Sequence, residues 1–405
     1  MLRIHVLCAV SLALFLLTPV SAAPPVLLGV DVLQRDGFAP LLGKRIGLIT
    51  NHTGLDAAGR TTIDVLNDAD EVNLVRLFGP EHGIRGELDQ SQISDGTDGP
   101  TGLPIVSLYG PRRTPEPEHM EDLDALVFDI QDIGCRFYTY PSTMKLAMRA
   151  AADAGITFVV LDRPNPIDGA TIEGPMRDAD GESFVGFHTV PLRHGLTLGE
   201  LAKLFKSEGD ERGPIEVNLV VVPCEGWKRA ETWDRTGLVW TDPSPNMRRL
   251  TQALLYPGVG IMETTNISVG RGTDTPFEVF GAPWIEDPRE LAAVLNNANT
   301  PGVRFVPRYF TPTASKFEGE RCGGVDVVLT NAKKLNAVDA GMAIAATLRR
   351  LYPDAWETKN YNRLLINQEV YQAVVAGASV DELQGLARKG LDAYRQRRAA
   401  VLLYP

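Results

Sequence analysis

The sequence predicts an α/β protein in which a Rossmann-like parallel sheet is followed by a smaller α+β domain. Through the first half of the chain, short apolar runs rich in β-branched residues alternate with helical patterns. Unbroken apolar runs of this kind are typical of parallel strands that are covered by helices on both faces. The composition, 44% hydrophobic over 405 residues, is sufficient for a large core.

Each apolar run of the first half ends in a polar or Gly/Pro turn. The runs cover 45–50, 72–78, 105–109, 125–130 and 156–161, with helical patterns at 61–69 and 142–154. Right-handed crossovers bring the carboxyl ends of parallel strands to one edge of the sheet, so the polar residues of these turns should line one rim. They are Asn51, His52, Glu81, His82, Asp129, Asp132 and Asp162.

The second half mixes strands with longer helices. Strands are predicted at 217–223 and 323–331. One helix is predicted at 289–298, and three others begin directly after the capping residues Thr197, Asn336 and Ser379. The last helix should be one amphipathic element, with an apolar face formed by Leu383, Leu386, Ala387, Leu391 and Tyr394. We place the domain boundary near residue 200, which gives domains at 23–200 and 201–405, although no linker marks it.

Residues 1–22 have the pattern of a signal peptide. Arg3 precedes an apolar run at 6–17 that is too short to span a membrane, and Val20-Ser21-Ala22 fits a cleavage site. A hydrophobic anchor is the alternative, but no charged stop follows the run. The pattern favours a secreted or periplasmic protein that is cleaved near Ala22 and has no membrane span in its mature chain.

Charge and cysteine content limit the classes of partner. The formal net charge is −11, and an acidic chain binds polyanions poorly, so neither nucleic acid nor an anionic membrane surface is expected as a partner. The mature chain keeps Cys135, Cys224 and Cys322. One disulfide and three buried thiols are both compatible with this number.

Several common catalytic motifs are absent from the sequence. There is no GxSxG, HExxH or GxxxxGK[ST], and GVGIME at 258–263 fails the dinucleotide-binding glycine pattern at its last position. A nucleotide cofactor is therefore not expected. His52, His82 and Asp129 could together bind a metal, but no ligand spacing supports it, and we predict neither a metal nor a cofactor.

The stretch LFGPEHGIRG at 77–86 holds Glu81 and His82 between Gly79-Pro80 and Gly83. A carboxyl group that is half-buried at a strand end can stay protonated near neutrality, as a general acid must. Glu81 is therefore the first catalytic candidate, although such a residue can also be a turn carboxylate bonded to nearby amides. His82 is a candidate for orienting it or binding substrate; a structural role is the alternative.

Two further segments are rich in functional groups. In 128–143, Asp129 could act as a second carboxylate, and Arg136 and Tyr138 could contact a sugar or an anionic group; a turn or packing role is the alternative for each. Asn51, on the same rim, is a further substrate-binding candidate.

The second segment rich in functional groups, 262–284, is a Gly-rich loop that carries Glu263, Asn266 and Arg271. An Ω-type loop that holds its own turns is the alternative. In the rigid Pro-rich turn WTDPSPNM, Trp240 could stack on a sugar ring or fill the domain interface.

These motifs together resemble one known family, the bacterial exo-β-N-acetylmuramidases of peptidoglycan recycling, long described as a domain of unknown function. The matching stretches, in order, are GLITNHTG, LFGPEHGIRG, SLYG, DIQDIGCRFYTYPSTM, LDRPNP, HGLTLGELA, PSPNM and TNISVGRGTDTPFEVFGAPW. The resemblance implies a Rossmann-like domain with a smaller C-terminal domain over the cleft. It also implies release of N-acetylmuramic acid from non-reducing ends of peptidoglycan fragments, without a nucleotide cofactor.

The family's motif glutamate falls on Glu81 of this sequence. Glu263 lies where the family usually has Glu-Gly-Thr-Asn and this chain has Glu-Thr-Thr-Asn, a departure that affects how closely the loop can approach a ligand. The lactyl carboxylate of muramic acid implies a site arginine, for which Arg271 and Arg136 are candidates. The second catalytic group stays open between Asp129, Asp132, Glu263 and the acetamido group of the substrate. A non-catalytic sugar-binding protein and a metal-assisted hydrolase are the alternative functions.

Overall fold

The computed structural model describes residues 26–85, 94–298 and 300–405, so the predicted signal peptide at 1–22 lies outside the described residues. The strands are β1 Arg45–Thr50, β2 Asn73–Gly79, β3 Gly96–Thr97, β4 Pro104–Ser107, β5 Ala125–Asp129, β6 Thr157–Leu161, β7 Glu173–Met176, β8 Pro191–Arg193, β9 Asn218–Val222, β10 Val279–Ala282, β11 Val303–Phe310 and β12 Cys322–Leu329. The α-helices are α1 Gly29–Arg35, α2 Thr62–Asn67, α3 Tyr140–Asp153, α4 Leu198–Glu208, α5 Leu250–Val259, α6 Pro288–Asn297, α7 Ala337–Leu351, α8 Asn362–Leu365, α9 Gln368–Ala376, α10 Val380–Ala387 and α11 Leu391–Ala399. Short 3₁₀ helices lie at Ala39–Leu41, Pro117–His119, Trp233–Arg235, Gly260–Thr264 and Ala332–Lys334.

A seven-stranded sheet with the order β3-β4-β2-β1-β5-β6-β9 forms the centre of the first half. All its pairings are parallel except that of the short edge strand β3 with β4, which confirms the predicted Rossmann-like sheet. The strand order reverses between β1 and β5, the place where open α/β sheets bind ligands. Strand β9 lies beyond residue 200, so a domain boundary at that residue would cut this sheet.

Strand β5 shows why the sheet is buried on both faces. Leu126 and Phe128 pack into one hydrophobic cluster, whereas Ala125 and Val127, which alternate with them, pack into another. Residues of α3 belong to the first cluster, and residues of α1 and α2 belong to the second. Each large side chain buried in this way contributes about 1.5–3 kcal/mol, which explains why the strand sequence is apolar at consecutive positions.

The second half contains a three-stranded antiparallel sheet with the order β10-β12-β11, packed on α6 and flanked by α5 and α7. This mixture of an antiparallel sheet and helices confirms the predicted α+β character. Its core is continuous with that of the first half, because Leu254 of α5 and Ile344 of α7 belong to the same cluster as Phe128.

The end of the chain differs from the prediction in one respect. The expected single helix is two helices, α10 and α11, separated by Gly390 at φ +80°. A residue in the left-handed region cannot continue a right-handed helix, and glycine adopts this region without steric cost. Leu383, Ala387, Leu391 and Tyr394 of the predicted apolar face are nevertheless buried.

The C-terminal residues return to the first sheet. The Tyr404 hydroxyl donates to Oδ2 of Asp162 at 2.5 Å and accepts from the backbone N–H of Cys224 at 3.0 Å. Asp162 is fully buried just after β6, and burial raises the pKa of its carboxyl group to about 6. The last residues of the chain are thus part of the interior of the first half.

Cys135, Cys224 and Cys322 are buried and form no disulfide, which favours the buried-thiol alternative. Within the described ranges, no helix combines the length and the apolar character that a membrane crossing requires.

Candidate active site

One cavity of about 180 Å³ collects five of the sequence candidates from both halves of the chain. Glu81, His82 and Tyr138 come from loops at the carboxyl edge of the parallel sheet, and Glu263 and Arg271 come from the second half. The remaining lining residues are Phe137, Thr139, Val185, Ser244, Asn246, Met247, Tyr256, Phe277 and Leu364. Carboxylates, a guanidinium and aromatic rings therefore face one another across a site open to solvent.

The loop after β2 positions Glu81. His82 and Gly83, which follow it, both have φ near +70°, so the chain turns sharply at this point. A left-handed backbone at a residue such as histidine is uncommon and is maintained only where the surrounding structure enforces it. The half-buried Glu81 carboxylate accepts a hydrogen bond at Oε2 from the Thr139 hydroxyl, which belongs to the loop before α3. Two strand-end loops therefore fix the orientation of this carboxylate.

Glu263 forms an ion pair with Arg271 within the cavity. Arg271 Nη1 lies 2.6 Å from Glu263 Oε1, and about a quarter to a third of each side chain is exposed. Lys316 holds the backbone at Glu263 in place. Its ammonium group donates to the carbonyl of Glu263, at 3.0 Å, and to that of Thr265. Burial lowers the pKa of Lys316. Lys316 was not predicted, since it lies in a different part of the chain and its neighbours form no motif.

Tyr138 forms an aromatic wall of the cavity. Its ring packs edge-on against Tyr140 and Tyr256, with ring centroids 5.0 Å and 6.1 Å away. Burial raises the pKa of its hydroxyl well above the usual value. The hydroxyl is itself buried, with Ser244, another residue of the cavity lining, as its neighbour.

Asp129, predicted as catalytic, does not reach the cavity. It is fully buried at the end of β5, where Arg163 contacts both carboxylate oxygens at 2.5 Å and 2.8 Å and the Thr62 hydroxyl donates to Oδ2. A carboxylate that is completely paired in the interior has no oxygen left for a substrate. We therefore correct its role to that of a structural ion pair.

Asn51 and Arg136, which were predicted to bind substrate, also form hydrogen bonds within the protein interior. The Asn51 amide donates to the Tyr140 hydroxyl at 2.9 Å, and its carbonyl oxygen accepts from the Thr53 backbone N–H at 2.9 Å. Arg136 is fully buried, and its guanidinium donates to backbone carbonyls. The acceptors are the carbonyls of Pro175, Val190, Leu364 and Leu365, at 3.1, 3.1, 3.1 and 2.5 Å. Neither side chain lines the cavity.

Asn266, Trp240 and Asp132 are likewise placed outside it. Asn266 bridges two backbone groups, with Nδ2 donating to Ala355 O and Oδ1 accepting from Glu357 N, both at 2.8 Å. Trp240 donates from Nε1 to Met247 O at 3.2 Å and lines a separate cavity. Asp132 accepts from the Gly134 N–H and lies 3.7 Å from the ring of the buried His194. Among the carboxylates considered as the second catalytic group, Glu263 alone lines the Glu81 cavity.

The proposed metal ligands His52, His82 and Asp129 do not converge on one point. Within 26–85, 94–298 and 300–405, a ligand-like group of three is found only at Glu116, Glu118 and His119. The two glutamates of this group are exposed, and none of its members lines the cavity.

Comparisons with known proteins identify relatives along nearly the whole chain. Residues 46–251 match the family model for the N-terminal part of the exo-β-N-acetylmuramidase NamZ, and residues 254–404 match the model for its C-terminal part. The chain is 42% identical over 385 residues to the peptidoglycan β-N-acetylmuramidase NamZ of Bacillus subtilis (strain 168), covering 94% of this chain and 92% of that protein.

Two solved structures of DUF1343 family proteins from Bacteroides fragilis NCTC 9343 are also similar. Their TM-scores are 0.88 and 0.75 and their sequence identities 38% and 30%, and each comparison covers 94% of this chain and 99% of the other. Family models and relatives thus span nearly the whole sequence. The chain belongs to the NamZ family of exo-β-N-acetylmuramidases.

Proposed function

We propose that the protein is an exo-acting glycoside hydrolase that releases N-acetylmuramic acid from non-reducing ends of peptidoglycan fragments, with Glu81 as general acid. One observation carries the assignment of residues: Glu81 and the Glu263–Arg271 pair converge on one cavity at the carboxyl edge of the sheet. The substrate class is that of the Bacillus subtilis relative, a peptidoglycan β-N-acetylmuramidase that is 42% identical.

In this mechanism Glu81 donates its proton to the glycosidic oxygen as the bond to the anomeric carbon breaks. Water then adds to that carbon and gives up a proton to a carboxylate of the site. Hydrolysis of a glycoside usually needs a second carboxylate beside the acid. Glu263 is our choice for it, because Asp129 and Asp132 do not line the cavity. Arg271 holds Glu263 in place through their 2.6 Å contact. Thr139 orients the acid through the hydrogen bond to Oε2.

The same cavity offers groups for recognition of the sugar. Arg271 is the guanidinium of the cavity lining and our candidate for binding the lactyl carboxylate of muramic acid, and Tyr138 supplies an aromatic wall. Ser244, Asn246 and Tyr256 also line this cavity.

The assignment is tested with Glu81→Gln on a chromogenic muramic acid glycoside. We expect kcat to fall by at least about 100-fold, the contribution typical of general acid catalysis, while the unfolding curve is unchanged. Glu118→Gln, at an exposed glutamate, is the matched control. Wild-type activity in Glu81→Gln would remove this residue from the mechanism, and sugar binding without turnover in the native protein would favour a sugar-binding protein.

We also propose that the enzyme acts outside the cytoplasm, because residues 1–22 have the pattern of a cleavable signal peptide. N-terminal sequencing of the protein expressed in a bacterial host should give a chain that begins at Ala23 in the exported fraction. An uncleaved chain retained with the membrane would instead support an N-terminal anchor.

A further inference from the structure

The loop that joins β11 to β12 packs against the segment 262–284, which carries two of the candidate site residues. The loop is closed at its base, because the carbonyl of Pro312 accepts from the backbone N–H of Gly319 at 2.8 Å. Residues 311–321, all of which the structure describes, lie outside the lining of the Glu81 cavity. Any effect of this loop on the reaction must therefore pass through another residue.

The loop is fastened to this segment directly beside Arg271. The carbonyl of Gly272 accepts from the backbone N–H and from the hydroxyl of Thr313, both at 2.9 Å. Gly272 has φ +79°, and a Cβ atom built on it would lie only 2.4 Å from the carbonyl oxygen of Ala314. A residue without a side chain is needed for two backbones to approach this closely. The loop and the segment are thus in direct backbone contact one residue from the guanidinium of the site.

An unusual backbone presents Lys316 to the same segment. Ser315 and Phe317, on either side of it, have φ +68° and +61°, in the left-handed region. Residues other than glycine rarely adopt this region and persist there only where surrounding contacts hold them. The half-buried side chain between them donates to the carbonyl of Glu263 at 3.0 Å and to that of Thr265. The loop is therefore shaped around the contact that its lysine makes.

The carbonyls that Lys316 contacts lie at the end of a helical stretch. Helix α5 continues directly into the 3₁₀ helix Gly260–Thr264, and Glu263 lies in the last turn. The last carbonyls of a helix have no acceptor role within it, and this end carries the negative pole of the helix dipole, which disfavours a carboxylate. An ammonium group placed there offsets the unfavourable field and holds the backbone. Lys316 also attracts the carboxylates of Glu263 and Glu357 electrostatically.

We propose that Lys316 is a positioning residue of the reaction: through the two carbonyls that it holds, it places the Glu263 carboxylate in the cavity opposite Glu81. The proposal rests on the proposed function for the role of Glu263 as second carboxylate. Lys316 does not touch the substrate, since it lies outside the cavity lining. Its effect on the rate is exerted entirely through Glu263, and the contact between Thr313 and Gly272 keeps the loop in place for it.

Lys316→Met tests the proposal, because it removes the ammonium group and keeps a long side chain. On the chromogenic muramic acid glycoside, kcat should fall about 10- to 100-fold, the effect of a misplaced reacting group, while KM changes less than about 3-fold. Lys316→Arg keeps a cation that can donate to the carbonyls and should retain most of kcat. The matched control is Lys44→Met, at a half-buried lysine that donates to the carbonyl of Pro40 at 2.8 Å, remote from the cavity. A raised KM with an unchanged kcat would overturn the inference.

A double-mutant cycle separates positioning from a general loss of structure. If Lys316 acts through Glu263, then Lys316→Met should cause no further loss of kcat in the Glu263→Gln protein, because the group that it places is already gone. Thr313→Val, at an exposed residue, loosens the loop without disturbing the core; it should lower kcat about 3-fold in the native protein and leave kcat unchanged in Glu263→Gln. Losses that multiply with that of Glu263→Gln would show a merely structural role and overturn the inference.

A crystal structure of Lys316→Met gives a readout that needs no activity and separates this inference from the proposed function. The backbone at Glu263 should shift and the 2.6 Å contact between Glu263 and Arg271 should be lost. This displacement in a protein whose native form hydrolyses no muramic acid glycoside would count against the proposed function alone. An unmoved Glu263 in an enzyme whose native form is active would overturn the inference alone.

Discussion

At the scale of single residues, the same types of side chain occur in the candidate active site and in the structural interior. Glu81 and Asp129 each follow an apolar strand, yet Glu81 faces a cavity and Asp129 is enclosed by Arg163 and Thr62. Local sequence predicts that both are polar groups at strand ends. It does not show which of them meets a buried cation from another strand, because that depends on tertiary contacts.

Thr139 provides the first prediction at this scale. Thr139→Val removes the hydroxyl that donates to Glu81 and keeps the shape of the side chain, so kcat should fall roughly ten-fold as the acid loses its orientation. Thr139→Ser keeps the hydroxyl and should restore most of the activity. Steady-state kinetics on the chromogenic glycoside measure both variants; equal losses in Val and Ser would show that packing, and not the hydrogen bond, matters.

Arg271 provides the second prediction at this scale. Arg271→Lys keeps a positive charge but loses the planar guanidinium geometry, so KM for a muramic acid glycoside should rise about ten-fold. The KM for the corresponding glucosaminide, which has no lactyl carboxylate, should change much less. The matched control is Arg235→Lys, a substitution at an exposed arginine. If KM rises equally for both glycosides, Arg271 does not recognise the carboxylate.

At the scale of elements, strands and caps were predictable and helix breaks were not. The parallel strands follow from apolar runs, and the Thr197–Glu200 capping box is formed as its sequence indicates. The division between α10 and α11 was missed, because the apolar periodicity continues across Gly390 while its backbone is left-handed. Which glycine interrupts a helix depends on the packing of the two pieces.

The carboxyl end of α4 illustrates how an unfavourable charge is compensated. Glu208 ends this helix, where a negative charge opposes the helix dipole. The carboxylate accepts from Arg397 at 2.8 Å and 2.5 Å and lies 2.6 Å from His188 Nε2. Burial acts to raise its pKa, but these hydrogen bonds from Arg397 and His188 outweigh it and lower the pKa to about 2.

Glu208→Gln should therefore change the pH dependence of stability. A carboxyl group whose pKa is lower in the folded protein stabilises it above the unfolded pKa of 4.5 and loses that effect as pH falls towards 2. The native free energy of unfolding should drop by about 1–2 kcal/mol across this range, less than the full pKa shift implies because the pair is partly exposed. Urea unfolding at pH 7 and pH 3 should show a smaller drop in the variant than in the native protein, and Glu211→Gln is the surface control.

At the scale of the whole molecule, the two halves share one core and several long-range polar contacts. Arg136, in the loop after β5, donates to carbonyls near β7 and β8 and to two carbonyls of α8. Burial lowers the pKa of its guanidinium to about 9, so it remains charged at neutral pH. The sequence indicated that this arginine matters, but only the structure shows that it is buried and joins the two halves.

Arg136→Met should lower the free energy of unfolding by about 3–5 kcal/mol, because it removes the hydrogen bonds that four buried carbonyls accept from the guanidinium. Since the halves unfold together, loss of activity and loss of tryptophan fluorescence should occur at the same urea concentration. Arg235→Met, at an exposed arginine, should leave both curves unchanged. An unchanged midpoint in Arg136→Met would contradict the role as a tie between the halves.

The cavity that straddles the two halves has a consequence for when the protein can work. Glu81, which we propose as the proton donor, lies in the loop after β2 of the first half, whereas Glu263 and Arg271 opposite it belong to the second half. A nascent, clipped or half-folded chain carries the donor without the groups opposite it. Cleavage of wall material then begins only after the entire polypeptide has collapsed, and a single nick between the halves that lets them separate is enough to silence it.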